Sequence, residues 1–300
     1  IYFYFIRMVK YFMISSVPVF SVWFSNYVAL AENENKKEKD VNLCEHLLQA
    51  VLAGNREKVQ DLLHSQPRHF HEPCVDSTRR CALSIACSKG YVDIAQLLLK
   101  AGYDVNSRDK HNLAPLSYAS WKGQGSAVRF LIENGAEVFH QDDFGVTAIH
   151  KAAAFGHTLV MEQLLGAAYN KGGASALKKA VNLQTGVISA PPQYEAKTLH
   201  QTPLHLALRG SANITEMQRK EMVKLLLSYG AEPNIPDVNG NNALHYAVQT
   251  SHLGVLIMIM EAGGDSSQEN KRGQKPEEGF MQLPLWESLV PWSVFNLYKF

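Results

Sequence analysis

Three hundred residues, 46% apolar and 19% charged, make an ordinary globular composition that is long enough for a continuous core. A formal net charge of +1 supplies no global field, so nucleic acid is not expected as a partner and any electrostatic preference must be local. Four cysteines, Cys44, Cys74, Cys81 and Cys87, form no CxxC pair and no even spacing, which reads as free, mostly buried thiols in a reducing compartment.

The chain opens on Ile1 and not on Met, so it is read as a fragment or an imperfect gene model. Tyr11 to Leu30 is a run of twenty residues without a charge, preceded by Arg7 and Lys10 and followed by the polar stretch Glu32 to Asp40. Three readings stay open for residues 1–31. The run is long enough to span a bilayer. From Met8 it also reads as a signal peptide, with Ala29-Leu30-Ala31 as the small-x-small cleavage site. It can equally be an artefact of the gene model. Residues 32–40 read as a charged linker, and residues 1–40 as a whole are expected to pack little against the rest of the chain.

From residue 41 onward the chain repeats itself. Thr202-Pro203-Leu204-His205 is matched by Thr147-Ala148-Ile149-His150, Asn242-Ala243-Leu244-His245, Ala114-Pro115-Leu116-Ser117 and Cys81-Ala82-Leu83-Ser84. The units start at 81, 114, 147, 202, 242 and 275, in steps of 33, 33, 55, 40 and 33. Insertions of 22 and 7 residues therefore restore one period of 33. A degenerate earlier unit fits from Glu45. Five residues before each start stand Asp76, Asp109, Asp142, Asp237 and Asn270. Gly145, Gly240 and Gly273 stand two before it, and Gly90, Gly123 and Gly156 nine after it. The apolar runs Leu97–Leu99, Phe130–Ile132, Leu164-Leu165 and Leu225–Leu227 come next, in phase.

These positions together resemble the ankyrin repeat family over about four fifths of the chain. The resemblance implies an all-α solenoid of stacked helix-turn-helix units joined by β-hairpin-like loops. It would occupy residues 41–280 as about six units plus a partial one. Each recurrent residue has a physical job. Asp or Asn accepts hydrogen bonds from turn N–H groups. Pro115 and Pro203 pre-set φ at a helix start. The in-phase His150, His205 and His245 are expected to tie helix starts down. Apolar residues at helical spacing bury against neighbouring units, so stability is shared between them; Leu98 and Leu226 are expected at those interfaces. Arg79 and Asn112 stand where Gly is usual, and Asn tolerates positive φ.

The long insertion, near 166–201, reads as about a turn of extra helix and a loop, with Ala174 to Leu183 as a short helix. The second, near 211–219, lies between the paired helices of its unit. Loops of either kind can carry function or be tolerated excursions. The apolar tail 281–300 is a cap for the last exposed face, a docking segment or a product of the gene model.

No GxxxxGK[ST] loop, HExxH or GxSxG motif is present, and nothing sets a nucleophile beside a base. No enzyme activity and no cofactor are expected. His64, His69, His71, Cys74 and Cys81 are the most metal-like cluster, but their irregular spacing argues against a site. In the fold that the resemblance implies, the hairpin tips and the outer parts of the first helices line a concave face. The register puts Arg80, Lys110, His111, Leu113 and Phe144 on the tips, and Lys89, Trp121, Lys122 and Phe155 on the helices. Exposed Trp, Phe and Arg are residue types that dominate binding hot spots. The expectation is a cytoplasmic scaffold or adaptor that binds another protein there, with an acidic or phosphorylated segment favoured by the basic rim. Two alternatives remain: the ankyrin segment of a larger membrane protein or enzyme, and a secreted effector. Association with a membrane through residues 11–30 goes with the first of these.

Overall fold

Most helix pairs begin where a side chain replaces the missing partner of a first-turn N–H, Ala114 being an exception. Thr147, Thr202 and Asn242 take extended backbone angles, and each accepts a hydrogen bond from the N–H three residues on. The side chains of His150, His205 and His245 complete capping boxes by accepting back from the cap residue's N–H. The computed structural model of the chain describes residues 43–65, 74–186, 200–211, 214–250 and 253–280. The segments 1–31, 32–40 and 281–300, and with them the three readings of the N-terminus, lie outside the described residues.

The helices are α1 (43–52), α2 (Arg56–Ser65), α3 (Ala82–Lys89), α4 (Val92–Lys100), α5 (Pro115–Trp121), α6 (Gly125–Glu133), α7 (Ala148–Ala154), α8 (Thr158–Asn182), α9 (Pro203–Arg209), α10 (Glu216–Ser228), α11 (Ala243–Gln249), α12 (Leu253–Glu261) and α13 (Pro276–Phe280). The first helices of successive units, α3, α5, α7, α9, α11 and α13, pack side by side in one layer, and their longer partners form a second. Among the described residues no strand is present, and the sole bridge pairs Val75 with Cys81. One apolar core runs through every unit, with Leu98, Leu131, Leu164 and Leu226 fully buried between layers.

Neighbouring units are tied by side chains that recur in phase. Asn106, Asn182 and Asn234 each donate to the carbonyl of a glycine in the next unit, Gly135, Gly230 and Gly263, and each accepts an N–H two residues beyond it. Gly123 shows why glycine closes the first helix. Its φ is +70°, and a Cβ there would lie 2.6 Å from the His157 ring of the following unit. Arg79 and Asn112 adopt φ of 59° and 61° at the glycine positions of their hairpins, as the register required.

The long insertion divides into two parts. From Thr147 to Thr185 there are 38 residues where Ala114 to Asp142 has 28, so ten are added to the helical part. They extend α8, which runs to Asn182 through a kink at Gly172 and Gly173. Backbone angles are non-helical at Gly172 and Gly173, so α8 is two helices joined at that kink, and the second, from Ala174 to Asn182, is the short helix expected there. From Thr185 to Thr202 there are 17 residues where Asp142 to Thr147 has five, so twelve are added inside the hairpin. Thr185 stands in for the usual Asp: its N–H donates to Gln201 O at 2.9 Å, and its hydroxyl accepts the Gln201 N–H at 2.9 Å. Residues 187–199 lie outside the described residues. The second insertion adds a turn to the start of α10. Thr215 and Gln218 cap it, and the buried Arg219 guanidinium donates to Ala207 O and Leu208 O at the end of α9.

The cysteines correct the sequence reading. Cys44 and Cys74 are joined by a disulfide, and only Cys81 and Cys87 are free. The pairing was not legible because a 30-residue separation says nothing about proximity. Cys74 is consequently no thiolate ligand, and His69 and His71 of the metal-like cluster lie outside the described residues.

His150 and His205 carry a pH dependence. Their Nε2 atoms face carbonyl oxygens of the following hairpins, Leu183 O at 2.9 Å and Asn241 O at 3.2 Å, so the proton sits on Nε2 and Nδ1 faces the cap. Burial lowers both pKa values to about 4. An unfolded imidazole takes its proton near pH 6.5. Between these values the unfolded chain binds more protons, so stability is fully present above pH 6.5 and falls as pH drops toward 4. The melting temperature should decline across that window, and less steeply in His150→Gln. An unchanged slope in that variant would show that other groups govern it.

Candidate functional site

The hairpin tips are held because one side chain gathers each turn, a carboxylate in most of them and the Asn270 amide in the last. Asp109 Oδ1 accepts the N–H groups of His111 and Leu113 at 2.8 and 2.9 Å. Asp142 does the same for Phe144 and Val146, and Asp237 for Asn239 and Asn241. The second oxygen of each is held by a residue nine positions on, in the first helix: Tyr118 at 2.5 Å, Lys151 at 3.2 Å and Tyr246 at 2.7 Å. Burial, and then the hydrogen bond to Asp237, push the Tyr246 hydroxyl up to about 12. The sequence reading missed this tie, although the constant spacing of nine was there to be seen.

The tips also join edge to edge. Lys110 N–H donates to Thr78 O, Asp143 N–H to His111 O, Gly186 N–H to Phe144 O and Lys271 N–H to Asn239 O. Among the described residues these bonds join the tips from Thr78 to Gly186 in one run and those at Asn239 and Lys271 in another. Arg80 is half-buried, ion-paired with Asp76 at 2.9 Å and placed over the Tyr118 ring at 5.7 Å. Partial burial works against ionisation of Asp76, but hydrogen bonds from Thr78 and Arg80 and the Arg80 charge outweigh it and hold its carboxyl below the usual range. Lys110 and His111 are exposed on the next tip, Leu113 half-buried beside them, and Phe144 half-buried on the third.

At the ends of the first helices, Trp121 and Phe155 meet across two units, with ring centroids 6.0 Å apart. Tyr118 lies 6.4 Å from Trp121 on one side, and His157 stacks on Phe155 at 6.3 Å on the other. His157 Nε2 also faces Trp121 O at 3.1 Å, which fixes the end of α5. Lys122 Nζ sits 4.4 Å from the centre of the Trp121 ring, within cation–π range. Lys89 is exposed at the matching end of α3. The fold therefore brings Trp121, Lys122 and Phe155 into contact and leaves their outer faces open. Phe144 is carried on its hairpin tip, where its carbonyl anchors the adjoining hairpin through Gly186. Arg209, at the register position of Trp121 in the unit starting at 202, was missed; it is exposed and donates to Gln201 Oε1 at 3.5 Å.

A family model described as ankyrin repeats, three copies, matches residues 47–142, 116–217 and 187–270. The chain belongs to the ankyrin repeat family. Among curated proteins, the ankyrin stack is 26% identical over 222 residues to the E3 ubiquitin-protein ligase KEG of Arabidopsis thaliana, covering 67% of this chain and 14% of that one. It is 26% identical over 217 residues to human palmitoyltransferase ZDHHC13, covering 70% and 35%. The chain thus spans only a minor part of these relatives' length. Among solved structures, the human ASB11 ankyrin repeat domain superposes with a TM-score of 0.58 at 26% identity, over 77% of this chain and 89% of that one. The Bcl-3 ankyrin repeat domain superposes with a TM-score of 0.60 at 21% identity, over 85% and 98%, a likeness of fold alone. Among the described residues, no group of His, Cys, Asp or Glu could hold a metal ion in the ankyrin stack, and no helix is long and apolar enough to cross a membrane.

Proposed function

We propose that this ankyrin stack is a protein-binding module whose main site lies on the concave face of the units starting at 81, 114 and 147. The observation that carries this reading is the Trp121–Phe155 pair, partly open, mounted on rigid helix ends and flanked by Lys89, Lys110 and Lys122. An apolar side chain of the partner would seat on the rings, and an acidic or phosphorylated stretch around it would meet the lysines. The aromatic anchor should supply most of the affinity, while the rim charges raise the on-rate and make binding weaken with salt. No step of chemistry is assigned to these residues, and the chain is read as non-catalytic.

Selection of a displayed peptide library on the wild-type stack should return acidic sequences with an apolar residue. Trp121→Ala should weaken the selected peptides by at least ~2 kcal/mol while the stack still melts cooperatively. Recovery of basic sequences, or full-strength binding by Trp121→Ala, would place the site elsewhere. Unfolding of Trp121→Ala would make the residue part of the core.

Two other readings each have one observation behind them. The relatives named for an enzyme, the palmitoyltransferase and the ubiquitin ligase, match this chain over only part of their length, which favours a recognition segment of a larger protein. The Cys44–Cys74 disulfide favours an oxidising compartment, where such bonds persist, and so the secreted reading over the cytoplasmic one.

A further inference from the structure

We propose that the binding face does not end at the aromatic pair but continues as a basic stripe to the last hairpin, and that it takes one extended acidic polypeptide segment along its length. This rests on the proposed role of the concave face and names the reach and chemistry of its occupant.

The charge on this chain is balanced overall and yet unevenly placed. Along the row of first-helix ends stand Lys89, Lys122 and Arg209, all exposed. Along the row of hairpin tips stand Lys110 and, at the far end, the adjacent Lys271 and Arg272, again exposed. Lys271 is held in the row by its own N–H on Asn239 O at 2.9 Å, just as Lys110 is held by Thr78 O. None of Lys89, Lys110, Lys122, Lys271 and Arg272 forms an ion pair among the described residues, in contrast to Arg80, Arg108, Lys151 and Lys178, which do. At the same positions, among the described residues, Asp143 is the single carboxylate. Asp109 and Asp237 do not reach out to pair with these cations, because one oxygen of each is engaged by N–H groups of its turn and the other by a tyrosine of the first helix.

The length of the occupant comes from the spacing. Lys122 at the end of α5 and the hairpin before α13 are separated by four first-helix steps. At roughly 8–10 Å per packed helix, the span is about 32–40 Å. An extended chain rising ~3.3 Å per residue needs about ten to twelve residues to cover it. A segment with an apolar residue for Trp121 and carboxylates at both ends would satisfy the whole stripe, whereas a compact acidic patch would reach only one end.

The test uses two fluorescein-labelled peptides with the full chain. The long one, about fourteen residues, carries a glutamate block at each end and a Leu-Phe centre near the first block; the short one, about eight, keeps that block and centre only. The long peptide should bind at least about fivefold tighter at low salt, since exposed charge pairs each contribute modestly. Lys271→Glu with Arg272→Glu should bring its affinity down to that of the short peptide and leave the short peptide unaffected. Trp121→Ala should weaken both. Equal binding of the two peptides, unaltered by the double reversal but lost in Trp121→Ala, would overturn the long stripe and keep the local site. No binding of either peptide, or indifference of both to Trp121→Ala, would overturn both readings. Binding of an oligothymidylate as tightly as the long peptide, with the same loss in the double reversal, would assign the stripe to nucleic acid and overturn the proposal.

Discussion

Leu98→Ala should lower the unfolding free energy by roughly 2–5 kcal/mol, the range for emptying a leucine-sized volume from a core that relaxes only in part. Leu98 lies on α4, is fully buried and belongs to the continuous core cluster. Leu226 on α10 is equally buried, and its replacement should cost the same. The two sites are several units apart, so their effects should add in a double variant unless each loosens a different end of the stack. Stability in such arrays comes from nearest-neighbour interfaces, and the Leu98 change should therefore be felt most strongly in the N-terminal units. Denaturant titration gives the totals, and amide exchange gives their distribution. A loss below about 0.5 kcal/mol, the size of an ordinary surface substitution, would mean that α4 presents a different face to the core.

Breaking the Cys44–Cys74 bond should have an effect of similar size but a different pattern. The bond ties α1 to the start of the first well-formed hairpin across 30 residues of chain. By chain-entropy arguments, a loop of that length is worth about 3–4 kcal/mol. That stabilisation acts chiefly on the unit it encloses, the first of the described units. Cys44→Ser should thus raise amide exchange in α1 and α2 sharply while leaving α9 to α12 close to wild type. The free thiols give an independent check. Cys81 and Cys87 are buried, and burial pushes the Cys87 thiol well above its usual range, so neither should react in the folded protein. Alkylation of the unfolded, unreduced chain should label two cysteines. Labelling of all four would show that the bond is absent and would cancel the predicted fraying.

What the sequence determined on its own was everything that closes within a few residues. The cap residues Thr147, Thr202 and Asn242 and their histidines lie three apart, and each hairpin Asp binds N–H groups two and four positions on. Such contacts are set by local backbone geometry, so they recur with the period and can be counted in the sequence. The burial of Leu98 and Leu226 came from the same period, because a helix face repeats every 3.6 residues. The tertiary structure decided what depends on how units stack. The partner of Cys44 is one such feature. The division of the long insertion between α8 and a widened hairpin is another, visible only because Thr185 and Gln201 pair where Asp and its turn would stand. The meeting of Trp121 with Phe155 is likewise a product of stacking. Residues far apart in the chain become neighbours only when the layer of first helices sets their spacing, and no local pattern encodes that distance.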